Sequence, residues 1–230
     1  MKRGWIVYGM MVTCLVFYIT ALRAAGMMVC LPPEQTVCAM TQQGLLPAQV
    51  AGTALRVLNT VCYEGPSLDT GEDVPLANAL AIMVENTGTE HIRTGWVMLS
   101  GAGDRYLFLA RDLPPGSRTI LLETSGASWT REPFDSLTGG ATTAPDDLLT
   151  AGQLEIRNVD LGSVSVKNLS ESTLTDVMLT YKNYLSEADV YQGGIAYGYQ
   201  IPILHPGQSI TISPGHYCAG YSRFVYAATE

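Results

Sequence analysis

Chemistry in this chain would have to come from three histidines, five cysteines and a handful of loop carboxylates. His91, His205 and His216 all fall in turns, the last two beside Pro-Gly dipeptides. No two of them have the close spacing that brings metal-ligating imidazoles onto one helix face or across one hairpin. His216 does lie two residues from Cys218. A histidine beside a cysteine can generate the thiolate that acts as a nucleophile. Both Cys218 and Cys62 sit in apolar strand contexts, however, where cysteine reads as an inert packing residue. No Gly-x-Ser-x-Gly elbow, phosphate loop or dinucleotide fingerprint occurs. Asp69, Glu72 and Asp73 surround Gly71 in an acidic loop that lacks the spacing of an EF-hand, so it reads as a solvated loop. Glu132, Asp146 and Asp147 are further loop carboxylates with no evident partner. The residue inventory therefore predicts no enzyme, no cofactor and no metal.

Composition narrows the partners. Hydrophobic residues make up 47% of the chain and charged residues 15%, which predicts a folded rather than disordered protein. The net charge is −8 and the 13 Lys and Arg residues form no stripe, which speaks against nucleic acid as a partner. Tyrosine is unusually frequent, 12 against 4 Phe. Its apolar ring and wet tip suit half-buried strand faces and binding surfaces alike. Tyr184, Tyr191, Tyr197 and Tyr199 cluster in one part of the sequence. Filling of a core is the favoured reading, and the alternative makes these four the candidate contact surface.

The N-terminus sets the expected compartment. Lys2 and Arg3 precede an uncharged run over residues 4–22, GWIVYGMMVTCLVFYITAL, which is 19 residues long. As a helix it spans roughly 28 Å, close to the hydrocarbon thickness of a bilayer. Arg23 spoils the small-x-small pattern of a signal-cleavage site, so an uncleaved signal-anchor is favoured over a cleaved signal. The basic N-terminus is expected to stay cytoplasmic, which puts the rest of the chain outside the cell membrane. Secretion after cleavage is the alternative. Cys14 lies inside the span and lacks a lipobox. Residues 24–49 read as an extracellular tether, rich in Pro and Gln. Within it Cys30 and Cys38 are the favoured disulfide, because closing a short loop needs no docking of distant parts. Free thiols remain the other reading.

From about residue 50 the chain says nearly the same thing twice. Strands are predicted over 53–63, 79–85, 92–99, 105–110 and 119–123, and again from 154 and over 162–167, 174–184, 194–203, 209–213 and 222–228. In the first series an Asn-Thr-Gly turn at Asn86 stands six residues before Ile92, and Leu113-Pro-Pro-Gly116 follows the fourth strand. In the second, Asn168 stands six residues before Leu174, and Leu204-His-Pro-Gly207 follows. Asparagine tolerates the left-handed backbone of a turn, and Pro-Gly fixes one turn residue and frees the next. Short strands separated by such turns, without helical periodicity, point to β-sandwiches. The expected fold is all-β: an N-terminal transmembrane helix (1–23), a tether (24–49), and two small immunoglobulin-like β-sandwich domains in tandem (50–125 and 151–230). Residues 126–150 read as a linker, pinned by Trp129 and Phe134. The second copy is the longer, its extra residues falling in Asn183 to Gly193.

The Asn-aliphatic and Leu-x-Pro-Gly pattern resembles the immunoglobulin-like, cell-adhesion-related modules of bacterial surface proteins. The whole arrangement resembles uncharacterised, signal-anchored proteins of Gram-positive gut bacteria. The residues that carry this likeness are Tyr63-Glu64-Gly65, Val84-Glu85-Asn86-Thr87-Gly88, Tyr181-Lys182-Asn183, Gly193-Gly194-Ile195, Tyr197 and Leu204-x-Pro206-Gly207. It covers residues 50–230 and implies a fold; no activity carries over from it. The functional expectation is a non-enzymatic, membrane-anchored extracellular protein whose modules contact another envelope protein or assembly. A carbohydrate-binding accessory module is the alternative.

Overall fold

The structure, a computed structural model, describes residues 36–40, 45–69, 75–124, 133–143 and 148–229. These residues fall in one compact unit, Pro33–Glu230, and form strands and turns with no helix. The expected membrane segment, 4–22, lies outside them. Fourteen strands follow one another: β1 Thr36–Met40, β2 Ala48–Gln49, β3 Leu55–Pro66, β4 Pro75–Asn86, β5 Ile92–Gly101, β6 Asp104–Leu113, β7 Arg118–Leu122, β8 Ser136–Thr143, β9 Leu154–Asn158, β10 Val164–Asn168, β11 Leu174–Leu185, β12 Val190–Leu204, β13 Ser209–Ile212 and β14 Ser222–Thr229. The stretch read as a tether thus supplies β1 and β2, both paired with β3. The stretch read as a linker supplies β8, paired with β5. Phe134, at the entry to β8, is buried edge-on against Tyr106. Trp129 lies outside the described residues.

The repeat seen in the sequence is a repeat of pairing. In the first series β4 pairs with β3 and β7, while β5 pairs with β6 and β8. In the second, β10 pairs with β9 and β13, while β11 pairs with β12 and β14. One set of hydrogen bonds closes both copies. The buried Asn86 amide donates to Glu90 O and Leu113 O and accepts from Gly88 N, and its backbone carbonyl takes Gly116 N. The buried Asn168 amide donates to Ser172 O and Leu204 O and accepts from Ser170 N, and its carbonyl takes Gly207 N. Asparagine suits the position because a single side chain must donate twice and accept once. Gly116 (φ +68°) and Gly207 (φ +71°) take the left-handed step of each turn.

The two series share a sheet. Strands β7 and β12 pair in parallel over Thr119–Ile120 and Tyr191–Gln192, giving an eight-stranded sheet ordered β1-β3-β4-β7-β12-β11-β14, with β2 beside β3. Sheet β6-β5-β8 packs against it through Leu55, Leu80, Ile82, Val97, Phe108 and Leu121. Sheet β13-β10-β9 packs against it through Val164, Val166, Val177, Leu179 and Tyr181. Alternate residues of β4 explain its unbroken apolar run: Leu80, Ile82 and Val84 enter the first core, whereas Ala81 joins a third cluster with Val61, Tyr63 and Ile120. A sheet covered on both faces needs apolar side chains in both registers.

Candidate functional site

The hairpin β11–β12, singled out as the longer one, does not lead out to solvent. The registers of β11 shift between Thr180 and Tyr181 and between Tyr181 and Asn183. Such bulges bend a strand and re-aim its side chains. Beyond them Tyr184 and Tyr191 enter the first core, beside Leu55 and Phe108, and only the tip, residues 186–189, is exposed. The Tyr184 ring lies edge-on to Tyr191, carries the Arg223 guanidinium 4.0 Å above it, and its hydroxyl donates to Asp189. Tyr197 and Tyr199 are half-buried against the second core, Tyr197 stacked between Tyr181 and the exposed His216. Of the four candidate contact tyrosines, Tyr184 and Tyr191 thus lie in the first core, past the pair of bulges, while Tyr197 and Tyr199 stay half-exposed on the flank of the second.

The bend brings together charged groups that lie far apart in the sequence. Lys182 is 0% exposed, and its Nζ donates to Arg111 O at 2.6 Å. Burial lowers its pKa to about 8 against the opposing pull of Asp112 and Asp69. Asp69 accepts from the backbone N–H of Gly194 and of Ile195, yet desolvation still raises its pKa. Asp112, at φ +51°, accepts from the Tyr226 hydroxyl at 3.0 Å and is likewise raised by burial. His91 stands edge-on to Tyr226 at 5.0 Å with its Nε2 buried and unpaired, and burial holds it neutral down to about pH 4. The histidine read as a turn residue is thus a buried one. The glycine pair lets the backbones meet: a Cβ on Gly194 would lie 1.9 Å from Leu109 O, and one on Gly193 2.5 Å from Leu68 O. A lysine near pH 8 has the proton affinity of a base or nucleophile. This one is enclosed and already committed to a carbonyl, so it ties β11 to the end of β6.

The other candidates stand apart. His205 is exposed, with Nδ1 3.4 Å from Thr173 Oγ1. Cys218 is disulfide-bonded, so it offers no thiolate to His216, and its reading as an inert packing thiol is corrected. Cys62 is a free cysteine. Of the Cys30–Cys38 pair, Cys38 lies in β1, in register with Cys62, and Cys30 falls outside the described residues, as do Glu132, Asp146 and Asp147. Among the described residues no cluster of His, Cys, Asp and Glu could hold a metal ion.

The outer face of sheet β6-β5-β8 is exposed and carries a contiguous apolar centre. Its cross-strand rows read Arg105/Ser100/Ser136, Leu107/Met98/Thr138, Leu109/Trp96/Gly140 and Arg111/Thr94/Thr142. Trp96 is 39% exposed, Leu107 37% and Leu109 43%, and Met98 is half-buried beside them. The indole lies across β8: a Cβ on Gly140 would come within 2.7 Å of its Nε1. Two arginines flank this apolar centre and, among the described residues, no carboxylate shares its rows, on a chain of net charge −8. Period-two alternation conceals such a face, because RYLFLAR is apolar in both registers; that excess of apolar residues was the available signal. No protein-family model and no curated protein matches this chain.

Proposed function

We propose that this is a non-enzymatic, membrane-anchored extracellular protein whose immunoglobulin-like β-sandwich modules make protein–protein contact at the cell envelope. The anchor at residues 4–22 and the resemblance to surface modules supply the setting. The outer face of β6-β5-β8 carries the reading. Aromatic residues, Met and Arg are enriched in protein interfaces, and Lys, Asp and Glu are depleted at their centres. Trp96, Met98, Leu107 and Leu109 between Arg105 and Arg111 have that make-up. Charge complementarity favours an occupant with an apolar centre and carboxylates on its flanks, a protein surface.

A photo-cross-linker placed at Thr94 or Thr138 of the full anchored chain, in native membranes, tests this. The expected result is an adduct whose mapped peptide pairs apolar with acidic residues, and which disappears in Leu109→Ser and in the Arg105→Glu/Arg111→Glu double variant. Absence of an adduct, or an adduct indifferent to those variants, would overturn it. One observation favours a second reading: an exposed indole on a face that also carries Thr138 and Thr142 is also a platform on which a sugar ring stacks. Glycan-array binding abolished by Trp96→Ala would select a carbohydrate-binding module instead.

A further inference from the structure

The edges of the sheets differ in how they are protected. Strand β6 is occupied along its edge: Leu107 N donates to Glu123 Oε1, Thr124 N donates to Leu107 O, and Gly194 abuts Leu109 O. Strand β14 takes Leu149 N on Ala227 O. Strand β9 carries Glu155 and Arg157, and β13 is only four residues long. Charge, shortness and cover are the usual ways of keeping an edge from pairing. Among the described residues, strand β8, SLTGGATT, has none of them. It has eight residues with no charge and no proline, five of them exposed, and among the described residues no strand pairs with its outer side.

We propose that β8 pairs antiparallel with β8 of a second copy of this chain, joining two β6-β5-β8 sheets into one of six strands. A two-fold axis perpendicular to the sheet keeps side chains of like direction opposite one another. Ser136, Thr138, Gly140 and Thr142 share the outer face. An axis through Gly140 sets Gly140 against its counterpart and Thr138 against Thr142. Threonine pairs are favourable cross-strand neighbours, and no like charges meet. The glycine at the axis leaves room for both Trp96 indoles, so the two exposed faces run on into one continuous surface. The pairing stands on the edge alone and holds whether or not that face binds a partner.

The register makes the proposal testable in the full chain, in detergent or in membranes, on a Cys62→Ser background. Residues opposite each other in an antiparallel pair lie within disulfide reach. Thr138 and its own counterpart are four positions out of register, roughly 13 Å apart. Mild oxidation of a mixture of Thr138→Cys and Thr142→Cys chains is expected to give a covalent dimer that neither single variant gives. Thr138→Lys/Thr142→Lys, with lysines set opposite each other, is expected to sediment as a monomer with an unchanged circular dichroism spectrum. No dimer in the mixture, or equal dimer in each single variant, overturns the pairing. So does a Lys variant that sediments like the parent chain.

Discussion

Lys182 shows how one residue can hold an interior and weaken it at once. Its ammonium satisfies Arg111 O and lies in the field of Asp69 and Asp112, but desolvation outweighs both carboxylates, leaving it at about 8 against 10.5 when solvated. Because the folded value is the lower, the unfolded chain holds a proton between pH 8 and 10.5 that the folded chain has released. Stability must therefore rise with pH through that window. Tyr63 and Tyr181 carry the opposite sign, since burial raises both above their ordinary value, Tyr181 to about 12. Their effect begins near pH 10, so the clean window ends below it. Urea denaturation at pH 8 and at pH 9.5 is expected to show a gain on the order of 1–2 kcal/mol for the parent chain. Lys182→Met is expected to lose that gain. Slope rather than absolute stability is the readout, because the methionine also leaves Arg111 O without its donor.

At the scale of the element, the strand end and the turn are one device. Asn86 and Asn168 reach across to the residue before each Pro-Gly turn, so a single side chain fixes the spacing between the second strand of a series and its fourth. Alanine at either position leaves one buried carbonyl, one part-buried carbonyl and a part-buried turn N–H without their partner. A loss of about 2–4 kcal/mol is expected from each, by the cost of unpaired buried groups. Faster hydrogen exchange at Gly116 or Gly207 in the matching variant is the local check, since each N–H bonds to the asparagine's backbone carbonyl, which the lost side-chain bonds no longer hold in place. The sequence displayed both halves of this device because each depends on residue type alone: asparagine for its donors and acceptor, glycine for its backbone. It likewise displayed the strands, whose period is local. The destination of the β11–β12 hairpin was not legible. Lys182-Asn183-Tyr184 reads as an ordinary alternating strand, and the bulges that send Tyr184 into the other core follow from how β11 meets β12 and β14. Nor was the Trp96 face legible, since deciding which register of β6 faces outward requires knowing what packs on its other side.

At the scale of the molecule, the second series is built into the first. Sheet continuity runs through the short β7–β12 contact, Thr119 Oγ1 donates to Gly193 O, and Tyr184 and Tyr191, with Val225 packed against them, complete a core whose other members lie before residue 138. A core that needs both series should unfold with both. Hydrogen exchange in denaturant is expected to give one common opening free energy for Leu80 and Ile82 in the first series and for Val166 and Val177 in the second. Gly194 is the place to break that coupling. Its Cβ position is occupied by the Leu109 backbone, which no side-chain rotation can clear. Gly194→Ala must therefore push β12 away from β6, loosen Asp69 from its backbone donors and open the enclosure of Lys182. The expected outcome is a lower midpoint and two separate openings, the first series exchanging before the second, because the tyrosines withdrawn belong to the first core. Two openings already in the parent chain would mean that each series is stable without the other. The shared sheet would then be a contact between finished units rather than part of their folding.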